Sequence, residues 1–175
     1  MKNLLRIFYI FCLSVFLYSC SSSRKANNSS TPDRTTVTTI NTKNVSADSV
    51  VAFAKTLIGV RYKYGSSVKE NGFDCSGFIT YVFNHFDIKV PRRSVDFTNA
   101  GTNISLTRSR KGDLILFTGS DNSSGIVGHM GIITQNSNGK VLFIHSASGN
   151  ARGVMISEVS GYFKTHFVKV IRIFF

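Results

Sequence analysis

Asp74-Cys75-Ser76-Gly77-Phe78-Ile79-Thr80-Tyr81-Val82-Phe83 puts a capping residue, a lone thiol and a glycine at the head of an amphipathic run. Asp74 is a good N-cap, and Phe78, Ile79, Val82, Phe83 and Phe86 fall on one helical face. Upstream, Val50, Val51, Ala54, Leu57 and Ile58 form a second helical face, with Ser46 as N-cap and Gly59 as terminator. After Lys111 the period changes. Leu114 to Phe117 and Val127 to Thr134 are apolar runs, and Val141, Phe143 and His145 alternate with Leu142, Ile144 and Ser146. Asn138-Gly139 is a hairpin signal between two of these runs. Gly153 to Ile156 and Phe167 to Ile173 add two more expected strands, whereas Asn99 to Ser109 has no clear period. Helices first and an antiparallel sheet afterwards predict an α+β domain.

The chemistry centres on Cys75. It is expected in the first helical turn, beside unpaired backbone N–H groups and the positive end of the helix dipole, a placement that lowers a thiol pKa. Gly77 is expected to leave room for a substrate backbone. His129 lies in Gly128-His129-Met130-Gly131, where flanking glycines permit close approach of another chain. It is expected to pair with the thiolate across the helix–sheet interface. His145, on the following strand, is expected to orient the His129 ring. His85 and His166 read as structural or surface residues, and Asp74 and Asp113 as cap and turn residues. Metal binding is the rival reading of one Cys and two His, but zinc sites usually carry a short ligand pair, and none occurs here. No metal and no cofactor is expected.

The 175 residues suit one catalytic-size domain, and a 42% hydrophobic content supplies a core that needs no disulfide. Cys12 and Cys20 sit in or beside the N-terminal apolar segment, which leaves Cys75 without an intramolecular partner. The net charge of +12 favours anionic partners. The cations are scattered and no nucleic-acid module is recognisable, so no nucleic-acid partner is expected. The chain reads as a monomer.

Lys2 and Arg6 precede an apolar run from Ile7 to Tyr18, about the length of a signal-peptide core and short for a bilayer span. Leu17-Tyr18-Ser19-Cys20 resembles the lipobox of bacterial lipoproteins, which implies lipidation at Cys20 after removal of residues 1–19. An ordinary secretory signal with a chance cysteine is the alternative. Residues 20–45 are rich in Ser, Thr and Asn and poor in large apolar side chains, and read as a flexible tether. Residues 46–175 are then the catalytic domain. The expected location is the bacterial envelope, lipid-anchored to the outer membrane and facing the periplasm.

Gly59-Val60-Arg61-Tyr62-Lys63-Tyr64-Gly65, Asp74-Cys75-Ser76-Gly77-Phe78, Pro91-Arg92-Arg93-Ser94, Gly112-Asp113-Leu114, Gly128-His129-Met130-Gly131-Ile132 and Phe143-Ile144-His145 together resemble the NlpC/P60 cysteine peptidases. Arg152-Gly153-Val154-Met155 resembles the tail of the lipoprotein members that cut murein cross-links. The resemblance implies a papain-like α+β fold, with N-terminal helices packed on a mostly antiparallel sheet. It also implies hydrolysis of a stem- or cross-link peptide bond in peptidoglycan, without a metal. It places the nucleophile on Cys75, the general base on His129 and the orienting residue on His145. Tyr62 would contribute near the oxyanion, and Asp74, Ser76 and Ser94 would contact the substrate peptide. A wall-binding lipoprotein without catalysis is the competing function. Ser66 stands where the family often has a second glycine.

Overall fold

The computed structural model describes residues 40–149 and 153–175. The expected leader, the Cys20 lipidation site, nearly all of the expected tether and Arg152 lie outside the described residues. Helix α1 spans Ala47–Lys55, with the Ser46 side chain accepting from the Ser49 N–H. Val50, Val51 and Ala54 of the helix and Leu57 just beyond it are buried, while Ile58, expected on the same face, is exposed. Gly59 follows at φ +89°, in the left-handed region that favours glycine. A hairpin of two very short strands comes next, β1 (Ser67–Val68) and β2 (Gly72–Phe73). Helix α2, Cys75–Asn84, then starts where the sequence predicts, capped by the Asp74 carboxylate on the Gly77 N–H.

The main sheet is built from β3 (Thr102–Ile104), β4 (Leu114–Thr118), β5 (Val127–Ser137), β6 (Lys140–Ala147), β7 (Gly153–Glu158) and β8 (Phe167–Arg172). Their order is β3-β8-β4-β5-β6-β7, and every neighbouring pair is antiparallel. Asn138 (φ +52°) and Gly139 (φ +79°) turn β5 into β6, with Ser137 opposite Lys140. That is a tight hairpin turn with positive φ at both central residues. A five-residue helix α3, Gly161–Thr165, precedes β8.

Both faces of the sheet are covered. Leu114, Leu116, Met130, Ile132, Ile144 and Ile171 share a core with Val50, Phe78, Ile79, Val82 and Phe83 of the two longer helices. On the other face Ile115, Phe117, Ile133, Val141, Phe143 and Val170 form a second core, against which Phe163 of α3 packs. This is why β4 is buried at every position, as central strands covered on both sides are. Each such aliphatic or aromatic side chain contributes about 1.5–3 kcal/mol by leaving water.

Two expectations change here. Ile40 is buried in the helix-side core, so the folded unit reaches into the stretch assigned to the tether. Asp113 is more than a turn residue. It is 1% exposed, accepts from Arg172 Nε and Nη2 at 2.8 Å each, and also accepts from the Arg110 N–H. The pair ties β4 to β8 as a buried, bidentate ion pair.

Candidate active site

Cys75 opens α2, and its cap determines what surrounds the sulfur. The Asp74 carboxylate takes the Gly77 N–H at 2.6 Å. The Cys75 and Ser76 N–H groups remain beside Sγ, where they favour the thiolate. Gly77 serves a purpose different from the expected one. A Cβ there would lie 2.0 Å from the Ser66 carbonyl oxygen, so the glycine admits the preceding loop rather than a substrate. Gly65 takes the positive φ of that loop, at +74°, and Ser66 needs no glycine.

The two histidines stand on the face of Phe117 and Phe143, opposite the face on which the α2 core packs. The thiol and the imidazoles therefore do not meet through the helix–sheet interface. They line one cleft at its end. Pairing of β5 with β6 runs from Ile132↔Ile144 to Ser137↔Lys140, leaving Val127–Gly131 without a partner on that side. Cys75 Sγ lies on this open stretch, donating to the Gly128 carbonyl at 3.7 Å and approached by the Met130 N–H. His129 is the residue between these two groups. Its Nε2 is 2.8 Å from His145 Nδ1. Among the described residues no hydrogen bond is made by its Nδ1.

The flanking glycines make this geometry possible. A Cβ on Gly131 would lie 2.7 Å from the Ile144 carbonyl oxygen and 3.1 Å from His145 Cβ. A Cβ on Gly128 would meet the Gly119 backbone at 2.7 Å. Close approach of the neighbouring chain, anticipated at these glycines, is what is found.

Three phenylalanines surround the pair. Phe163 stacks on His129 with ring centres 6.1 Å apart, Phe143 lies 4.7 Å from His145, and Phe117 lies 6.1 Å from His129. Burial in this setting holds His129 down to about 4 and His145 down to about 3, the latter also through its neighbour's charge. Both rings are therefore neutral near pH 7. Burial, then the Asp74 carboxylate, pushes the Cys75 thiol up to about 11, against the pull of the Ser76, Cys75 and Met130 N–H groups. The helix-end N–H groups pull the thiol down as expected, and burial beside Asp74 opposes them.

A cleft of about 660 Å³ opens onto these groups, lined by Tyr62, Cys75, His129 and His145 among others. Tyr62 is held by a parallel bridge to Phe73. Burial and nearby negative charge raise its phenol pKa, so it stays protonated and can donate. Asp74, Ser76 and Ser94, expected as substrate contacts, are not on the cleft wall. Arg92, part of the Pro91-Arg92-Arg93-Ser94 motif but given no role from sequence, clamps Asp74 with two contacts (3.0 and 2.8 Å) and Ser76 with one at 3.0 Å. Asp74 and Ser76 are thereby engaged in holding the helix start, and Ser94 begins a short 3-10 turn, Ser94–Phe97. Thr118, Tyr162 and Phe163 are wall residues that no motif announced. Thr118 Oγ1 is the buried side-chain polar atom without a partner among the described residues. No three His, Cys, Asp or Glu side chains among the described residues converge as metal ligands would.

Residues 59–172 match the model of the NlpC/P60 family. The chain is 38% identical over 84 residues to gamma-DL-glutamyl hydrolase of Bacillus subtilis, covering 48% of this chain and 20% of that protein. It is 36% identical over 104 residues to murein DD-endopeptidase MepS/murein LD-carboxypeptidase of Escherichia coli, covering 58% and 49%. The alignments thus span half or less of these two relatives. The fold matches the crystal structure of an NlpC/P60 family protein from Bacillus cereus with a TM-score of 0.65 at 26% identity, over 74% of this chain and 40% of that one.

Proposed function

The chain belongs to the NlpC/P60 family, and on that premise we propose that it hydrolyses a peptide bond in peptidoglycan by cysteine nucleophilic catalysis. The observation that carries the reading is the juxtaposition of Cys75 Sγ with the Gly128–Met130 backbone, and of His129 Nε2 with His145 Nδ1 at 2.8 Å, in one open cleft.

The resting pair is thiol and neutral imidazole. As Sγ forms its bond to the peptide carbonyl carbon, the thiol proton passes to His129 Nδ1. The developing oxyanion takes hydrogen bonds from the Cys75 N–H and the Tyr62 hydroxyl. The carbon–nitrogen bond then breaks, His129 returns its proton to the leaving amine, and a thioester remains on Cys75. Water attacks that thioester and gives one proton to His129, which passes it to the departing sulfur. The free acid leaves and the starting state is restored. His145 holds the His129 ring throughout. The relatives' names point to more than one bond type, so the substrate class is a stem or cross-link peptide.

We propose further that residues 1–19 are a signal peptide and that Cys20 carries a lipid. The domain would then work as a monomer at the envelope, facing the periplasm from the outer membrane. The lipobox-like Leu17-Tyr18-Ser19-Cys20 supports this. Purified sacculi test the catalytic reading. Wild-type protein releases muropeptide fragments and the C75A variant releases none. Release by C75A at the wild-type rate refutes the mechanism, and no release by either protein favours the wall-binding alternative.

A further inference from the structure

The hydrogen-bond chain does not stop at His145. His145 Nε2 lies 2.9 Å from Ser157 Oγ, on β7. Ser157 is opposite Phe143, one cross-strand step from the His145↔Met155 pair, so its side chain shares the imidazole face. We infer that Ser157 is a positioning residue for hydrolysis, the outer acceptor that the productive tautomers of both histidines require.

Proton placement along the chain of contacts decides the role of Ser157, given the catalytic reading above. Two neutral imidazoles joined by one hydrogen bond share a single bridging proton. If it belongs to His129 Nε2, then His129 Nδ1 carries a lone pair and can take the thiol proton. His145 Nδ1 is then the acceptor, and His145 must carry its single ring N–H on Nε2. If the bridging proton belongs to His145 Nδ1, then His129 carries its own on Nδ1 and cannot act as base. Only the first arrangement is productive, and it requires an acceptor for His145 Nε2–H. His145 is 1% exposed and its flanks are Phe143 and Phe163. Ser157 Oγ is the partner of that nitrogen among the described residues. β7 is the edge strand of the sheet and Ser157 is partly exposed. Its own hydroxyl hydrogen can therefore turn to solvent while the oxygen accepts. Without the hydroxyl, the productive arrangement leaves a buried N–H without a partner, which folded proteins rarely tolerate. The pair then shifts to the arrangement in which His129 is no base.

S157A, S157T and wild type separate this from a packing role. Nitrogen-15 NMR of the imidazoles in the C75A background, without substrate, reads the tautomers independently of turnover. The expectation is a lone pair on His129 Nδ1 in wild type and in S157T, with a shift toward Nδ1–H in S157A. In proteins with Cys75 intact, S157A loses about 10-fold to 100-fold in kcat at unchanged KM, the loss typical of removing an orienting partner. S157T restores it. Unchanged His129 tautomers in S157A overturn the inference, whatever the activity does. Should S157A not fold, His145 Nε2 free of its proton in the wild-type spectrum overturns it equally. Activity retained by C75A would refute the catalytic reading and leave the tautomer result standing.

Discussion

Replacing Gly131 by alanine presses on the one spacing that the site depends on. The added Cβ would lie 2.6 Å from Phe143 Cδ2, 2.7 Å from the Ile144 carbonyl oxygen and 3.1 Å from His145 Cβ. The Ile144 contact is backbone and cannot swing aside. Carbon and oxygen approach no closer than about 3.3 Å even in close C–H···O contacts, so β5 and β6 must part by roughly 0.6 Å. Carried to the imidazoles, that shift stretches the 2.8 Å His129–His145 bond to about 3.4 Å, beyond the useful range of a hydrogen bond. Displacements of this size cost on the order of 10-fold to 100-fold in rate, and overpacking removes about 1–3 kcal/mol of stability. G139A is the matched control. It has nothing within 4 Å and φ +79°, so it costs about 1–2 kcal/mol of backbone strain far from the site. The assay is kcat/KM on isolated muropeptides, beside thermal unfolding of the same preparations. G131A loses stability and turnover together, whereas G139A loses stability alone. Wild-type kcat/KM in G131A, or an equal loss in G139A, refutes the reasoning.

R172M strands Asp113, which is 1% exposed, and lowers stability by about 3–5 kcal/mol, the usual result of removing one partner of a buried pair. Denaturant unfolding reads this, and a loss below about 1 kcal/mol contradicts the buried-pair account. Iodoacetamide labels Cys75 more slowly near neutral pH than an ordinary thiol of pKa about 8.5, and the rate climbs toward pH 11, where burial has placed the thiol. A rate already at its plateau in mildly acidic buffer would mean a resting thiolate–imidazolium pair instead. The two buried imidazoles have folded pKa values below their ordinary 6.5, so the fold binds fewer protons than the open chain in that range. Stability is then complete above about pH 6.5 and declines as pH falls toward 4. H145N shows a shallower decline in thermal midpoint over the same window, and an equal slope would argue against buried neutral rings.

The long elements are legible because their ends are chemically marked. Ser46 and Asp74 are caps in fact, and Asn138-Gly139 supplies the two positive φ values that its hairpin needs. β1, β2 and β3 have two or three residues each, too few for any period to register. Cys75, His129 and His145 are recognisable from residue type and setting, Tyr62 only through the family resemblance, and the cleft unites all four. The roles of Ser157, Arg92 and Phe163 are not recognisable, since each reaches the site through cross-strand register or loop packing that no local pattern encodes. The thiol's setting is only half legible for a related reason. A helix end is visible in sequence, whereas the degree of burial that opposes it belongs to the assembled fold.

In the proposed mechanism the Cys75 sulfur carries the acyl group between bond cleavage and release. Intact-protein mass spectrometry after rapid acid quench of a reaction with muropeptide tests it directly. The expected result is a transient adduct with the mass of the acyl fragment, mapped to Cys75 and labile to hydroxylamine. Steady release of product with no adduct, or with the adduct on another residue, would contradict it.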